Sequence, residues 1–229
     1  DGVAITDTLP ATYPATAASV NRLGEDLIDE LAAIHKAPWQ TIGLERLGNP
    51  QSFLERQITR WRAARAESPV RDLPLLDELA VWLLNNIPES GPVGLIHGDY
   101  HLDNTLSHPD RPGLAAVIDW ELATIGDPLA DLGLFLMFWG PRELDPPGFR
   151  HIQAVSRCES ALSRRVLAER WGAATGFPLA NLDFYLCFAF WRLAAIVEGA
   201  YSLYCQGKVD SDYARGLEYD VPALLEEAA

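Results

Sequence analysis

Apolar side chains recur along this chain with two different periods. Between positions 17 and 36, Val20, Leu23, Leu27, Leu31 and Ile34 return every three or four residues. That spacing puts them on one face of an amphipathic helix, which Pro38 ends. His35 and Lys36 fall in its last turn, where positive charge suits the carbonyl end of a helix, so His35 reads as structural. A second helix is predicted over 52–67, with Phe53, Leu54, Ile58 and Trp61 inward and Arg56, Arg60, Arg62 and Arg65 on or near the outside. The arginine row reads as a solvated face with helical partners such as Glu55, or as a dock for an anionic substrate. A third helix is predicted over 73–87, apolar at Leu75, Leu76, Leu79, Trp82 and Leu83, and broken by the stretch 88–92. The first fifteen residues, rich in Thr, Pro and Ala, read as an irregular entry segment.

The pattern changes after Pro92. Residues 93–97 read as a short buried strand, 98–103 as a loop, and 104–107 and 114–119 as two strands joined by a Pro/Gly/Asp turn. If those strands pair with Ser107 near Ala116, Asn104 falls opposite Asp119, and directly opposed residues sit roughly 4.5–5.5 Å apart at Cα. Gly126-Asp127-Pro128 then signals a helix start, with Asp127 as cap and Pro128 in the first helical position. The helix through Trp139 is apolar almost all round and should be buried. Asp131 inside it is therefore conspicuous, because a buried carboxylate needs hydrogen-bond donors. After a Pro-rich loop at 140–148, helices are predicted over 160–172 and 181–204, the latter carrying Phe184, Phe188, Trp191, Ile196 and Tyr201. Arg192 and Glu198 interrupt that stripe, either as an internal ion pair or as groups pointing into an acceptor pocket. The acidic tail from Asp210 closes with a short helix at 221–227.

Composition narrows the classes. At 229 residues and 48% hydrophobic content, the chain has ample material for a core. A formal charge of -14 argues against nucleic acid or an anionic membrane as principal partner. The apolar runs 134–139 and 184–191 fall far short of the ~20 residues that span a bilayer. Nothing from Asp1 on points to export, and Cys158, Cys187 and Cys205 are odd in number and widely spaced, so the expectation is reduced thiols and a cytoplasmic location rather than disulfides or zinc.

Within 95–131 the oxygen-bearing side chains Asp99, Asn104 and Asp119 stand where a magnesium-bound phosphate and an attacking hydroxyl could meet. Magnesium takes oxygen ligands at about 2.0–2.1 Å and keeps several waters, so one carboxylate and one amide carbonyl suit it. The run His97-Gly98-Asp99-Tyr100-His101-Leu102-Asp103-Asn104 resembles the H-G-D-x-x-x-x-N loop of the aminoglycoside phosphotransferase and choline kinase group. Ile118-Asp119-Trp120-Glu121, twenty positions on, looks like its second metal-binding motif. In finer wording, Asp103-Asn104, Asp119-Trp120-Glu121-Leu122, the stretch 126–131 and the stretch 184–201 resemble the kinase-like domains associated with acyl-CoA dehydrogenases.

The resemblance implies an α+β, mainly helical fold, the C-terminal lobe of a protein-kinase-like phosphotransferase with a small catalytic hairpin. Its parts are a helical segment at 1–92, the catalytic loop, hairpin and buried helix at 93–139, and an acceptor-side segment at 140–229. It implies Asp99 as the base that orients the acceptor hydroxyl, Asn104 and Asp119 as magnesium ligands, and His97 and Asp131 as supports of the loop. Tyr100, His101, Glu121, Arg192 and Glu198 become candidate substrate contacts, and Glu121 and Asp103 candidates to touch the ion through water. The implied activity is transfer of the γ-phosphate of ATP to a hydroxyl on a small molecule, such as a hydroxyacyl-CoA or an aminoglycoside.

The family's nucleotide lobe supplies a Gly-rich loop, a strand lysine and a helix glutamate. This chain shows no G-x-G-x-x-G, and its lysines are Lys36 and Lys208. Asp1-Gly2 resembles the stretch just after the hinge between lobes, and position 1 is not Met, so the chain reads as a C-terminal lobe that binds nucleotide poorly alone. Two other classes stay open: a metal-dependent hydrolase built on His97, Asp99 and His101, and a catalytically silent binding module.

Overall fold

The structure, a computed structural model, describes residues 2–66, 69–89, 91–141 and 147–229. Over these residues it is mainly helical, as expected, with two small antiparallel sheets where one hairpin was expected. Its helices are α1 (Ala17–His35), α2 (Phe53–Ala66), α3 (Pro74–Asn85), α4 (Pro128–Phe138), α5 (Arg164–Thr175), α6 (Leu182–Cys205) and α7 (Asp212–Ala228). The strands are β1 (Gly94–Ile96), β2 (Thr105–Ser107), β3 (Leu114–Val117) and β4 (Thr124–Gly126). Glu67 at the predicted end of α2, Ser90 before β1, Asp1 at the start and 142–146 of the Pro-rich loop lie outside the described residues.

Packing divides the chain into two compact units whose pieces interleave in sequence, so the three consecutive segments expected from the resemblance are not the packing units. The first unit draws on 1–51, 91–141 and 151–182. Its core joins Leu23, Leu27 and Leu31 of α1, Phe135 and Phe138 of α4, and Leu167 and Trp171 of α5, all buried. Fully burying such side chains is worth ~1.5–3 kcal/mol each. All eleven residues of α4 are buried. Its start is as predicted: Asp127 Oδ1 accepts the Leu129 N–H at 3.0 Å, and Pro128 opens the helix. β1 pairs with β4, a strand the sequence reading did not contain, and β2 pairs with β3. The entry segment is also less irregular than expected, since Val3 exchanges two backbone hydrogen bonds with Ser107 on the free side of β2.

The second unit draws on 52–90, 142–150 and 183–229. The Trp191 indole of α6 donates to the Leu76 carbonyl of α3 at 2.9 Å. Trp82, expected on the inner face, is 45% exposed and lies against Phe184. α7 is longer than the predicted closing helix, because Ser211 caps it through the Ala214 N–H and Leu217, Val221, Leu224 and Leu225 keep helical spacing. In the arginine row, Arg65 turns inward to Asp77 and the Arg71 carbonyl, while Arg60 lies over the Trp61 ring. α6 is long and apolar enough to cross a membrane, with a mean hydropathy of 1.3, which its short uninterrupted runs did not suggest. More than half of that stretch is buried within the protein, and it carries a buried ion pair, as a core helix does.

That pair corrects the expectation for Glu198. Its carboxylate is buried and gripped by Arg71, not Arg192: Arg71 Nη2 donates at 2.5 Å and Nε at 3.2 Å. The same guanidinium donates to the Glu218 and Leu217 carbonyls and covers the Tyr201 ring. Removing one partner of a buried pair strands the other charge, at a cost of about 3–5 kcal/mol. Arg71→Met should therefore lower the unfolding free energy by roughly 3 kcal/mol or more in urea melts; a change under about 1 kcal/mol would show that this pair is not a support of the second unit.

Candidate active site

The loop that follows β1 is held from below by one carboxylate. Asp131, in the first turn of α4, accepts the His97 N–H on Oδ2 at 2.6 Å and the Gly98 N–H on Oδ1 at 2.9 Å. This is how a nearly inaccessible carboxylate finds donors, and how two main-chain N–H groups of a tight turn find acceptors. Gly98 is required here: its φ is +87°, and a Cβ would stand 2.5 Å from the Leu122 carbonyl oxygen. A third donor comes from α1, where His35 Nε2 lies 3.3 Å from Asp131 Oδ2. The Trp171 indole N–H donates to His35 Nδ1 at 3.0 Å. An indole nitrogen only donates, so Nδ1 is the acceptor and the proton sits on Nε2, facing Asp131. His35 is thus structural as expected, but as a neutral ring joining α5 to the loop anchor rather than a cation at a helix end.

His97 performs a second tie. Its Nε2 donates to the Ile118 carbonyl at 2.8 Å, and its Nδ1 accepts the Asp99 N–H at 3.3 Å. The ring therefore joins the loop to the end of β3, with Tyr100 and Trp120 against its faces and edges. The hairpin register differs from the expected one by a residue. Thr105 pairs with Val117 and Leu106 with Ala116, followed by a bulge, and the Ile118 N–H donates to the Asn104 carbonyl at 3.0 Å. Asn104 is therefore opposite Ile118, not Asp119. Asp119 comes next, in the left-handed region at φ 64° and ψ 57°, so the chain leaves the ladder there and its carboxylate is exposed.

Asp99 and Asn104 are directly coupled. The Asn104 amide nitrogen donates to the Asp99 carbonyl at 2.8 Å and to its Oδ2 at 2.9 Å. Both partners are oxygen acceptors, so the NH2 must face them, and Oδ1 is left as the oxygen a cation could use. His101 is buried beside them, with Nδ1 3.3 Å from Asp103 Oδ2 and Nε2 3.7 Å from Asp99 Oδ2. Burial works against its charge, but the hydrogen bond to Asp103, the nearby Asp99 carboxylate and the negative charges of both outweigh it and raise the imidazole to about 9. The two aspartates thus favour the charged form of His101, whose Nε2 also lies 3.2 Å from the Asn104 amide nitrogen, and the ring is tied into the loop rather than standing as a free substrate contact. Asp103 Oδ2 likewise is engaged by His101 and by the Gln153 N–H.

The remaining candidates have other settings. Tyr100 is fully buried and its hydroxyl donates to the Leu27 carbonyl at 2.8 Å; burial pushes its phenol well above the usual range, so it is a core residue and not a substrate contact. Glu121 is exposed in the 3-10 turn Trp120–Leu122 that follows Asp119. Arg192 and Glu198 belong to the second unit, and Glu198 is committed to Arg71. The hydrolase arrangement is not formed among the described residues: no cluster of three or more His, Cys, Asp or Glu side chains is placed to hold a metal, both nitrogens of His97 are engaged, and His101 faces Asp103 through Nδ1 and the Asn104 amide nitrogen, at 3.2 Å, through Nε2. The sequence reading missed Gln153, Trp171 and Arg71. Gln153 gave no signal beyond being a glutamine in a loop.

Residues 2–167 match the Phosphotransferase enzyme family. The chain belongs to that family. A solved aminoglycoside phosphotransferase homologue from Ralstonia eutropha, itself described as putative in function, is 29% identical, with a TM-score of 0.86 over 100% of this chain and 70% of that one. An aminoglycoside 2'-phosphotransferase solved as a GDP complex shares the fold, at 20% identity and a TM-score of 0.56, over 95% of this chain and 64% of that one. The rat acyl-CoA dehydrogenase family member 11 is 34% identical over 89% of this chain, which spans only 26% of that protein's length.

For this phosphotransferase-family chain the loop anchors generate two predictions. Asp131→Ala orphans two buried N–H groups, each costing about 1–3 kcal/mol, so unfolding free energy should fall by roughly 3 kcal/mol; a variant as stable as the wild type would mean water or another group replaces the carboxylate. His101 has a folded value near 9, above its ordinary 6.5. Its contribution is fully present below pH 6.5 and is lost as pH rises through 9, on the order of 3 kcal/mol. With a chelator present, stability measured by denaturant should decline over that window in the wild type and not in His101→Gln. Parallel pH profiles for the two proteins would rule the ionised His101 out.

Proposed function

We propose that this chain supplies the catalytic part of an ATP-dependent small-molecule kinase that transfers the γ-phosphoryl group to a hydroxyl. The observation that carries the reading is the coupling of Asp99 to Asn104, with the Asn104 main chain bonded to Ile118 immediately before Asp119. The bonds thus run from the Asp99 and Asn104 side chains to the backbone that leads directly into Asp119. Phosphoryl transfer passes through a loose transition state and asks chiefly for positioning and charge neutralisation. Asp99 accepts a hydrogen bond from the acceptor hydroxyl and takes its proton as the oxygen bonds to phosphorus and the bond to the departing ADP oxygen breaks.

The oxygen donors suit magnesium. Asn104 Oδ1 is turned away from the Asp99 contact, and the Asp119 carboxylate is exposed, so these two would hold the ion, which keeps waters and phosphate oxygens for its other positions. When bound, magnesium neutralises charge on the transferring phosphate. The reading also has the rest of a longer protein supply nucleotide contacts. Among acceptors, a hydroxyacyl-CoA or similar hydroxylated metabolite agrees with the names of the acyl-CoA dehydrogenase relatives, and an aminoglycoside with the bacterial homologue.

The test is a phosphate-transfer screen of the full-length protein against hydroxyacyl-CoAs, choline-like alcohols and aminoglycosides. Asp99→Asn should fold normally and lose turnover by about 100-fold or more, the usual scale for a positioned base, and Asp119→Asn should raise the magnesium concentration needed for half activity. Undiminished turnover in Asp99→Asn would remove the assignment, and a wild-type protein inert toward all three classes would favour a silent binding module.

A further inference from the structure

The residue that grips the catalytic loop from the opposite side is Gln153. It immediately precedes the 3-10 turn Ala154–Ser156, is fully buried, and adopts a left-handed backbone, φ 52° and ψ 26°. That conformation is unfavourable for a residue with a side chain and persists only where surroundings over-determine it. Here they do. Its side-chain Oε1 accepts the Leu102 N–H at 2.9 Å and its Nε2 donates to the Phe135 carbonyl of α4 at 3.1 Å. Its main-chain N–H donates to Asp103 Oδ2 at 3.0 Å, and its carbonyl accepts from the Ser156 hydroxyl and N–H. The Ser156 hydroxyl in turn accepts the Gly140 N–H just after α4.

Leu102 opens the short turn Leu102–Asn104, and the first N–H groups of such a turn have no partner within it. Gln153 supplies that partner from 51 positions away, and ties it to a carbonyl of the buried helix α4. Through Asp103 it also fixes the carboxylate against which His101 rests, and His101 stands beside Asp99. Leu102, Asp103 and, through Asp103, His101 thus lean on one residue, immediately before Asn104.

We infer that Gln153 is a positioning residue of phosphoryl transfer, holding the turn between Asp99 and Asn104 so that both keep their working geometry. The inference rests on the phosphotransferase reading. It differs from a packing role in what it predicts: small misplacements of reacting groups cost rate far more than they cost binding.

In the full-length protein, Gln153→Met preserves bulk and removes both amide hydrogen bonds, whereas Gln153→Glu keeps an oxygen acceptor for Leu102. With an acceptor found by the screen, Gln153→Met should lose about 10- to 100-fold in kcat with KM for nucleotide and acceptor within about 2-fold, and Gln153→Glu should recover part of the loss. Hydrogen exchange at the Leu102 amide should accelerate in Gln153→Met while α4 amides stay protected. Should the Met variant not fold, Gln153→Gly, which suits the left-handed backbone, takes its place. Unchanged kcat, or a fall in melting temperature with no split between kcat and KM, overturns the inference while leaving the kinase reading intact. A Leu102 amide that exchanges at an open-loop rate in the wild type overturns it whatever the variants do. A wild type without transfer to any acceptor overturns the kinase reading itself, and this inference with it.

Discussion

A carboxylate shut away from water and two main-chain N–H groups in a turn too tight to satisfy them need each other. Asp131 sits at that meeting point, with His97 and Gly98 on its two oxygens, and the rest of the first unit is arranged around the bond. α4 is buried along its whole length, so the anchor cannot drift, and His35 and Trp171 bring α1 and α5 into the same chain of hydrogen bonds. Each donor in the series has one acceptor, and the order fixes the tautomer of His35 without appeal to its charge.

From that anchor the geometry of the candidate site follows in short steps. His97 links the loop to the end of β3, Asn104 closes onto Asp99, and Ile118 closes onto Asn104. None of these contacts performs chemistry. They hold oxygen atoms still, and phosphoryl transfer asks for little else from protein side chains. Membership of the Phosphotransferase enzyme family agrees with this economy. The second unit has a polar centre of its own, Arg71 over Glu198 and Tyr201, which explains a glutamate in an apolar helix without assigning it to a substrate.

Much of the site was legible in the chain because it is local. The loop from His97 to Asn104, the cap at Asp127 and the buried setting of Asp131 depend on spacing over a few residues, and spacing is visible in one dimension. The register of the hairpin was not. It turns on a bulge at Leu106 and Ser107 and on a left-handed Asp119, and a shift of one residue exchanges which side chains stand opposite. Tyr100 shows the opposite failure: it lies among site residues in sequence, yet its side chain runs into the core to Leu27.

Residue order alone therefore determined the helical periods, the oxygen-bearing residues of the loop and the demand that Asp131 find donors, since each follows from local propensity or from the cost of burying charge. Tertiary structure alone decided which donors and acceptors meet across long separations. Gln153 with Leu102, His35 with Asp131 and Arg71 with Glu198 are such pairs. A polar side chain announces that it needs a partner, but the partner's identity depends on how distant elements pack, and that packing carries no period a single chain can display.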